Sequence, residues 1–276
     1  MVEGNVTLSK FSNEISSFLM SRYFLHLAYR GANYNGWQSQ QNAPGIQDVV
    51  ERCLGFRLGH EIRITGCGRT DTGVHARNYY AHFDSQRHPE MVLSADFLHR
   101  MNICLPPDIV VFQVLPVSND AHARFDAISR TYHYYFHTFK NPFLEPTSYY
   151  IYGSHDFEAM NRCAALLPDY DDFTSFSKLH SQTKTNICRV SEARITQVSE
   201  GYAFVITADR FLRNMVRAIA GTLFEVGKGK LDEAGFRGVI EGKNRALAGF
   251  SVPAHALFLE DIRYPYVLSP SENQTF

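Results

Sequence analysis

No stretch of this chain approaches the ~20 consecutive apolar residues that cross a bilayer, so no membrane-spanning helix is expected. The opening residues, MVEGNVTLSKFSNEISSFLMSRYF, lack a basic start, a continuous apolar core and a small-residue cleavage site. Residues 1–20 are therefore expected to be a loosely ordered extension rather than a secretion signal. The five cysteines, Cys53, Cys67, Cys104, Cys163 and Cys188, are odd in number and far apart. That spacing leaves no disulfide framework and no CxxC zinc pattern, and a reducing, cytoplasmic compartment fits it. There is no GxSxG elbow for a serine nucleophile, and the glycines near Lys228 lack the spacing of a phosphate-binding P-loop. Nor is there an excess of one charge: the net charge is −1, which gives no global signal for nucleic acid.

What the chain does have is length, apolar content and rings. Its 276 residues suffice for one large domain or two modest ones, and 45% hydrophobic residues are enough for a packed core. The 21 Phe and 15 Tyr favour sheet and offer rings for stacking. Charge is uneven along the chain. Between Lys178 and Lys230 lie nine basic residues, among them Lys184, Arg210, Arg213 and Arg217, against four acidic ones. That local excess reads either as a solvated face or as one wall of a basic cleft.

Periodicity divides the chain into mixed elements. Alternation predicts strands at Arg22–Arg30, Glu61–Thr65, Asn78–Phe83, Ile109–Val117, Thr131–Phe139, Arg189–Val198, Tyr202–Ala208 and Leu257–Ile262. Helical spacing predicts helices from Ile46, from an N-cap at Ser94, around Phe157–Leu167, from Phe211, and near Asp232–Ile240. Strands and helices mix without strict alternation, which points to an α+β fold rather than a doubly wound parallel sheet. The NPFLEP stretch within residues 140–154 is a plausible boundary between two halves.

The chemistry-bearing stretch is Gly66-Cys67-Gly68-Arg69-Thr70-Asp71-Thr72-Gly73-Val74-His75-Ala76. Its glycines permit turns and close approach of a ligand. A guanidinium two residues from a carboxylate favours the ionised acid that a nucleophile or base requires. On residues alone the stretch reads either as this or as a structural turn in which Arg69 pairs with Asp71. His75, His122 and His133 lack the paired spacing of a zinc site, so no metal is expected.

The same stretch resembles the GRTDxGVHA signature of the tRNA pseudouridine synthase A family. Further blocks follow in order: YRGANYNGWQSQ from Tyr29, Ala121-His122-Ala123-Arg124-Phe125, Arg130-Thr131-Tyr132-His133-Tyr134, Asp172-Phe173-Thr174-Ser175-Phe176, and Phe211-Leu212-Arg213-Asn214-Met215-Val216-Arg217 with Gly221. The resemblance spans residue 29 to about 262. Thr72, Thr131 and Ala256-Leu257-Phe258-Leu259 depart from the family's usual residues.

The resemblance implies two ferredoxin-like halves, residues 21–140 and 141–276, whose antiparallel sheets form a central RNA-binding cleft in a homodimer. It implies isomerisation of uridines 38, 39 and 40 in the anticodon stem-loop of tRNA. Asp71 would be the catalytic carboxylate, attacking C1′ or C6 or removing a sugar proton. Tyr132 would stack on the target base, Arg69 would aid base flipping and pair with Asp71, and Arg217 would support the carboxylate. Arg124, His122, Lys184 and Arg213 would contact RNA. An isomerisation calls for no cofactor. The rival readings are a catalytically silent tRNA-binding homologue and a small-molecule enzyme built on the Asp71 loop.

Overall fold

Alternating large side chains make the first strand, β1 (Ser21–Tyr29), in which Tyr23, Leu25, Leu27 and Tyr29 are buried on one face. The computed structural model describes residues 20–40, 43–178, 185–266 and 268. The expected extension over 1–20 therefore lies, apart from Met20, outside the described residues, as does Lys184.

Helix α1 (Ile46–Leu58) starts where the Asp48 carboxylate accepts the Gly45 N–H at 2.8 Å and stops at Gly59 in the left-handed region. The short β2 (Thr65–Gly66) and the long β3 (His75–Ser85) follow, then α2 (Pro89–Val92) and α3 (Ala95–Cys104). The Ser94 hydroxyl accepts the Phe97 N–H at 3.1 Å, the N-cap anticipated from the sequence. β4 (Ile109–Pro116), β5 (Ser129–His137) and β6 (Tyr149–Tyr150) come next. α4 (Phe157–Ala164) is capped by Asp156 and precedes the hairpin of β7 (Val190–Val198) and β8 (Gly201–Ala208). α5 (Met215–Gly227), α6 (Glu233–Glu241) and β9 (Leu257–Arg263) complete the body.

The fold is mixed α/β, as an α+β reading requires. One sheet runs in the order β4-β1-β3-β9-β5-β8-β7, with β2 beside β3 and β6 beside β5. Its neighbours pair antiparallel except β3 with β9 and β5 with β6. The core forms two main clusters. One is built from residues between Tyr23 and Ala127 and closed by Leu259 and Ile262; the other takes residues from Tyr134 onward together with Val74. Tyr132 is packed against both.

Two expectations are corrected. The strand from Glu61 shrinks to β2, because Ile64 donates its N–H to the Glu51 carboxylate and accepts from Gln47 at its carbonyl. That backbone is bonded to α1 instead of to a strand. Helix α5 begins at Met215 rather than Phe211, because Asn214 sits at φ 70° and breaks the helical run. Among the described residues no helix is long and apolar enough to cross a membrane.

Two histidines of β3 are buried neutral. His75 accepts the Gly31 N–H at Nδ1 and meets the His255 carbonyl with Nε2; His82 accepts the Ala123 N–H at Nδ1. Burial, with smaller contributions from nearby cations, lowers each from the ordinary 6.5 to about 4. Below pH 6.5 the unfolded chain takes up protons that the folded chain refuses, so stability is complete above 6.5 and drains as pH falls towards 4. The limit is on the order of 3 kcal/mol per histidine. Denaturant unfolding is expected to give a free energy several kcal/mol lower at pH 4.5 than at pH 7; a flat profile would contradict the buried neutral state.

Candidate active site

The turn carrying Asp71 is held at Cys67, Gly68 and Thr70. Cys67 donates its N–H to the Tyr80 carbonyl at 2.8 Å, and the Tyr79 hydroxyl donates to the Gly68 carbonyl at 2.5 Å. Thr70 is fixed twice. Its carbonyl accepts the Trp37 N–H at 3.2 Å, and its hydroxyl bonds the Tyr29 hydroxyl at 2.8 Å. Trp37 in turn stacks on Tyr79 with ring centroids 4.1 Å apart. Gly36 makes this approach possible. It sits at φ +82°, and a Cβ there would stand 2.3 Å from the Thr70 carbonyl oxygen. The Tyr29–Gln40 block is thus a buttress for the Asp71 turn.

The Asp71 side chain is 24% exposed, so it opens to solvent rather than being sealed in the interior. Two guanidinium groups meet it from the far half of the chain. Arg213 Nε stands 3.4 Å from Oδ1, and Arg217 Nη1 stands 3.9 Å from Oδ2. Arg217 is the anchored one: its Nε donates to the Val252 carbonyl at 2.6 Å, and Val252 donates back to the Arg217 carbonyl at 3.2 Å. Gly221 allows that strap to lie on α5, since a Cβ there would be 1.9 Å from the Phe250 carbonyl oxygen. Asn214, turned into the left-handed region and tied to the Ser251 hydroxyl at 2.6 Å, marks the bend between the two arginines.

The expected Arg69–Asp71 pair is not formed. Arg69 is exposed, and its charge falls near Arg124 instead, while the carboxylate takes its partners from the start of α5. Tyr132, on β5, is half-buried and edge-on to Phe211, with centroids 5.0 Å apart. Burial, then the neighbouring Cys67 and, more weakly, Asp71, raise its phenol above the usual value against the opposing pull of Arg130, so it stays protonated.

Further basic groups gather on this side. Burial and the charges of Arg69, Arg130 and Arg210 all lower the Arg124 pKa, which puts Arg124 within the fields of the other three. Arg124 lies over the exposed Phe125 ring. His122 is partly committed to structure, its Nδ1 accepting the N–H groups of Arg124 and Phe125 at 3.1 and 3.2 Å. Arg130 had not been singled out by sequence reasoning, yet its guanidinium donates to the carbonyls of Cys67, Arg124, Ala127 and Asp209. It ties the Asp71 turn, the 121–127 segment and the end of β8 together. Its place in the Arg130–Tyr134 block was the available signal.

A partly open carboxylate and a half-buried ring, set among arginines, form a site suited to a ligand that is both anionic and aromatic. A sequence profile described as tRNA pseudouridine synthase matches residues 170–265, which include Arg213, Arg217 and β9. The tRNA pseudouridine synthase A of Porphyromonas gingivalis is 52% identical over 248 residues, 89% of this chain and 98% of that protein. The protein of that name from Bacteroides thetaiotaomicron is 52% identical over 250 residues, 89% and 91% of the two chains. The one from Clostridium acetobutylicum is 37% identical over 247 residues, 89% and 100%. The chain belongs to the tRNA pseudouridine synthase A family.

The buttress yields a contrast between two glycines. Gly36→Ala combines an unfavourable φ with a backbone collision, and is expected to cost about 2 kcal/mol of stability. It should also displace the Asp71 turn and depress activity at temperatures where the protein remains folded. Gly68→Ala meets nothing within 4 Å and has no positive φ, so its melting temperature should match the parent. Equal melting temperatures for both variants would refute the buttress.

Proposed function

We propose that this chain converts uridine to pseudouridine in tRNA, at positions 38, 39 and 40 of the anticodon stem-loop, with Asp71 as the catalytic carboxylate. The observation that carries the reading is the partly exposed Asp71 oxygen pair, flanked by Arg213 and Arg217 and within the field of Tyr132, in a chain of this family. Nothing favours a silent tRNA binder.

The reaction breaks the C1′–N1 bond, turns the base and forms C1′–C5. C5 loses a proton and N1 gains one, so no oxidant, reductant or group donor enters the balance. The uridine must first leave its stack, at a cost of a few kcal/mol. A ring such as that of Tyr132 returns ~1–3 kcal/mol by stacking. Arg69, exposed and unpaired with Asp71, is free to fill the vacated space in the helix. Arg217, fixed by Val252, orients the carboxylate. Arg124, Arg213, His122 and Lys184 are read as RNA contacts.

The finer architecture is part of the same proposal. We read residues 21–140 and 141–276 as two ferredoxin-like halves and the groove between them as the RNA cleft; the two core clusters change over earlier, between Ala127 and Tyr134, and both draw on β9. A homodimer belongs to the same reading, and a half-buried aromatic patch beside the small Phe24 cluster is the surface it would use. There His26 stacks on Tyr80 at 4.7 Å and Phe112 lies 5.1 Å away, all three half-buried. The cytoplasm, where tRNA is handled under reducing conditions, is the proposed compartment.

Incubation with unmodified tRNA and mapping of the mass-neutral isomer tests the assignment. Asp71→Asn should form no detectable pseudouridine while binding tRNA at least as tightly as the parent, since it frees Arg213 and Arg217 from their acid. Residual turnover by Asp71→Asn would remove Asp71 from the chemistry. Binding should also weaken steeply with salt, and Arg124→Ala should lower the slope of log Kd against log salt by about one phosphate contact. A salt-independent affinity would exclude the arginine cleft as the RNA surface.

A further inference from the structure

The two arginines on Asp71 are not equivalent. Arg217 is 21% exposed, and its Nε is committed to the Val252 carbonyl; its nearest approach to the carboxylate is the longer one, 3.9 Å. Arg213 is 60% exposed, and its Nε stands at 3.4 Å over Oδ1. The Arg213 backbone is fixed, since its carbonyl accepts the Lys178 N–H at 3.1 Å and the next residue, Asn214, is tied to Ser251. Any movement of this cation is therefore movement of its side chain alone.

That side chain stands where chemistry has to happen. A reacting atom must come within ~3–3.5 Å of the carboxylate oxygen. Arg213 Nε already occupies that distance from Oδ1. Arg217 lies on the second oxygen, and Arg213 is the cation on the first. An exposed, singly contacted ion pair is weak and exchanges readily. A phosphate diester offers a guanidinium a stronger, two-pronged partner.

Resting on the reading of Asp71 as catalytic, we propose that Arg213 is a latch. In the free protein it covers Asp71 Oδ1. When the target uridine swings in, its own 5′ phosphate, which travels with the flipped nucleotide, draws Arg213 off the carboxylate. Binding of the correct polyanion thus uncovers the acid, and Arg217 alone remains to hold it. Arg213 is a positioning residue in this account; it neutralises the resting acid and clamps the moving phosphate.

The test uses tRNA ligated from a synthetic anticodon arm, with the linkage 5′ to the target uridine either a phosphodiester or an uncharged methylphosphonate. Both carry a 2′-deoxy sugar on the preceding nucleotide. On the phosphodiester, Arg213→Gln is expected to lower kcat/KM about tenfold through loss of one charge-assisted contact. On the methylphosphonate the order should invert: the parent keeps its latch closed for want of a phosphate, and Arg213→Gln becomes the faster enzyme. A purely structural Arg213 would depress both substrates alike. A parent-to-variant ratio of one or more on the methylphosphonate overturns the latch. Asp71→Asn, run alongside, separates the two failures: if it is active, the assignment of Asp71 falls; if it is inactive and the order does not invert, only the latch falls.

Discussion

Thr70 is gripped from both sides, and the position of Asp71 follows from that grip. Its carbonyl is bound by the Trp37 amide, its hydroxyl by the Tyr29 hydroxyl, and Gly36 presses against it with no side chain between. Tyr29 and Trp37 belong to the buried core of the first half, so the turn inherits the rigidity of packed rings rather than that of a surface loop. A reacting side chain needs this kind of support, because an error of about 1 Å is enough to cost ~100-fold in rate.

The arginines solve a different problem. A protein of net charge −1 has no general attraction for RNA. The attraction must be local, and Arg69, Arg130 and Arg210 lie close enough to Arg124 to depress its pKa together with burial. Such crowding is costly unless some of the charge is spent internally. Arg130 does this by donating to four carbonyls from three separate segments, and Arg217 by donating to Val252. The cations left without such commitments, Arg69, Arg124 and Arg213, are the exposed ones.

Most elements were legible because periodicity reports burial. The alternation in β1, the Ser94 cap of α3 and the stripe of α5 follow from local chemistry that survives into the fold. What escaped were decisions made by distant partners. Ile62 and Ile64 alternate like a strand and are buried like one, yet Glu51 and Gln47 of α1 take the backbone bonds that a neighbouring strand would have used. Asp71 and Arg69 are two residues apart in sequence, so a local pair was the natural reading. The fold instead brings two arginines about 140 residues away onto the carboxylate and leaves Arg69 outside. Arg130 was hidden for the same reason, since four carbonyl acceptors leave no trace in a sequence. The Asp71, Tyr132, Arg213 and Arg217 positions were reached through motif order, which carries information on distant contacts that composition and spacing lack.

The seam between the two clusters of core residues explains why the site sits where it does. β3 pairs with β9 over only two residues, His75 with Phe258 and Ala76 with Leu259, directly after the Asp71 turn. Past that short parallel contact a side chain joins the two strands, Asn78 donating to the Glu260 carbonyl at 2.7 Å, while the preceding Asp71 turn takes its partners from Arg213 and Arg217. Tyr132 is packed against both clusters and braced edge-on by Phe211. Of the two ion pairs on Asp71, the one at Arg213 is the shorter, at 3.4 Å against 3.9 Å, and the more exposed, so it is the one that solvent and ligand reach first.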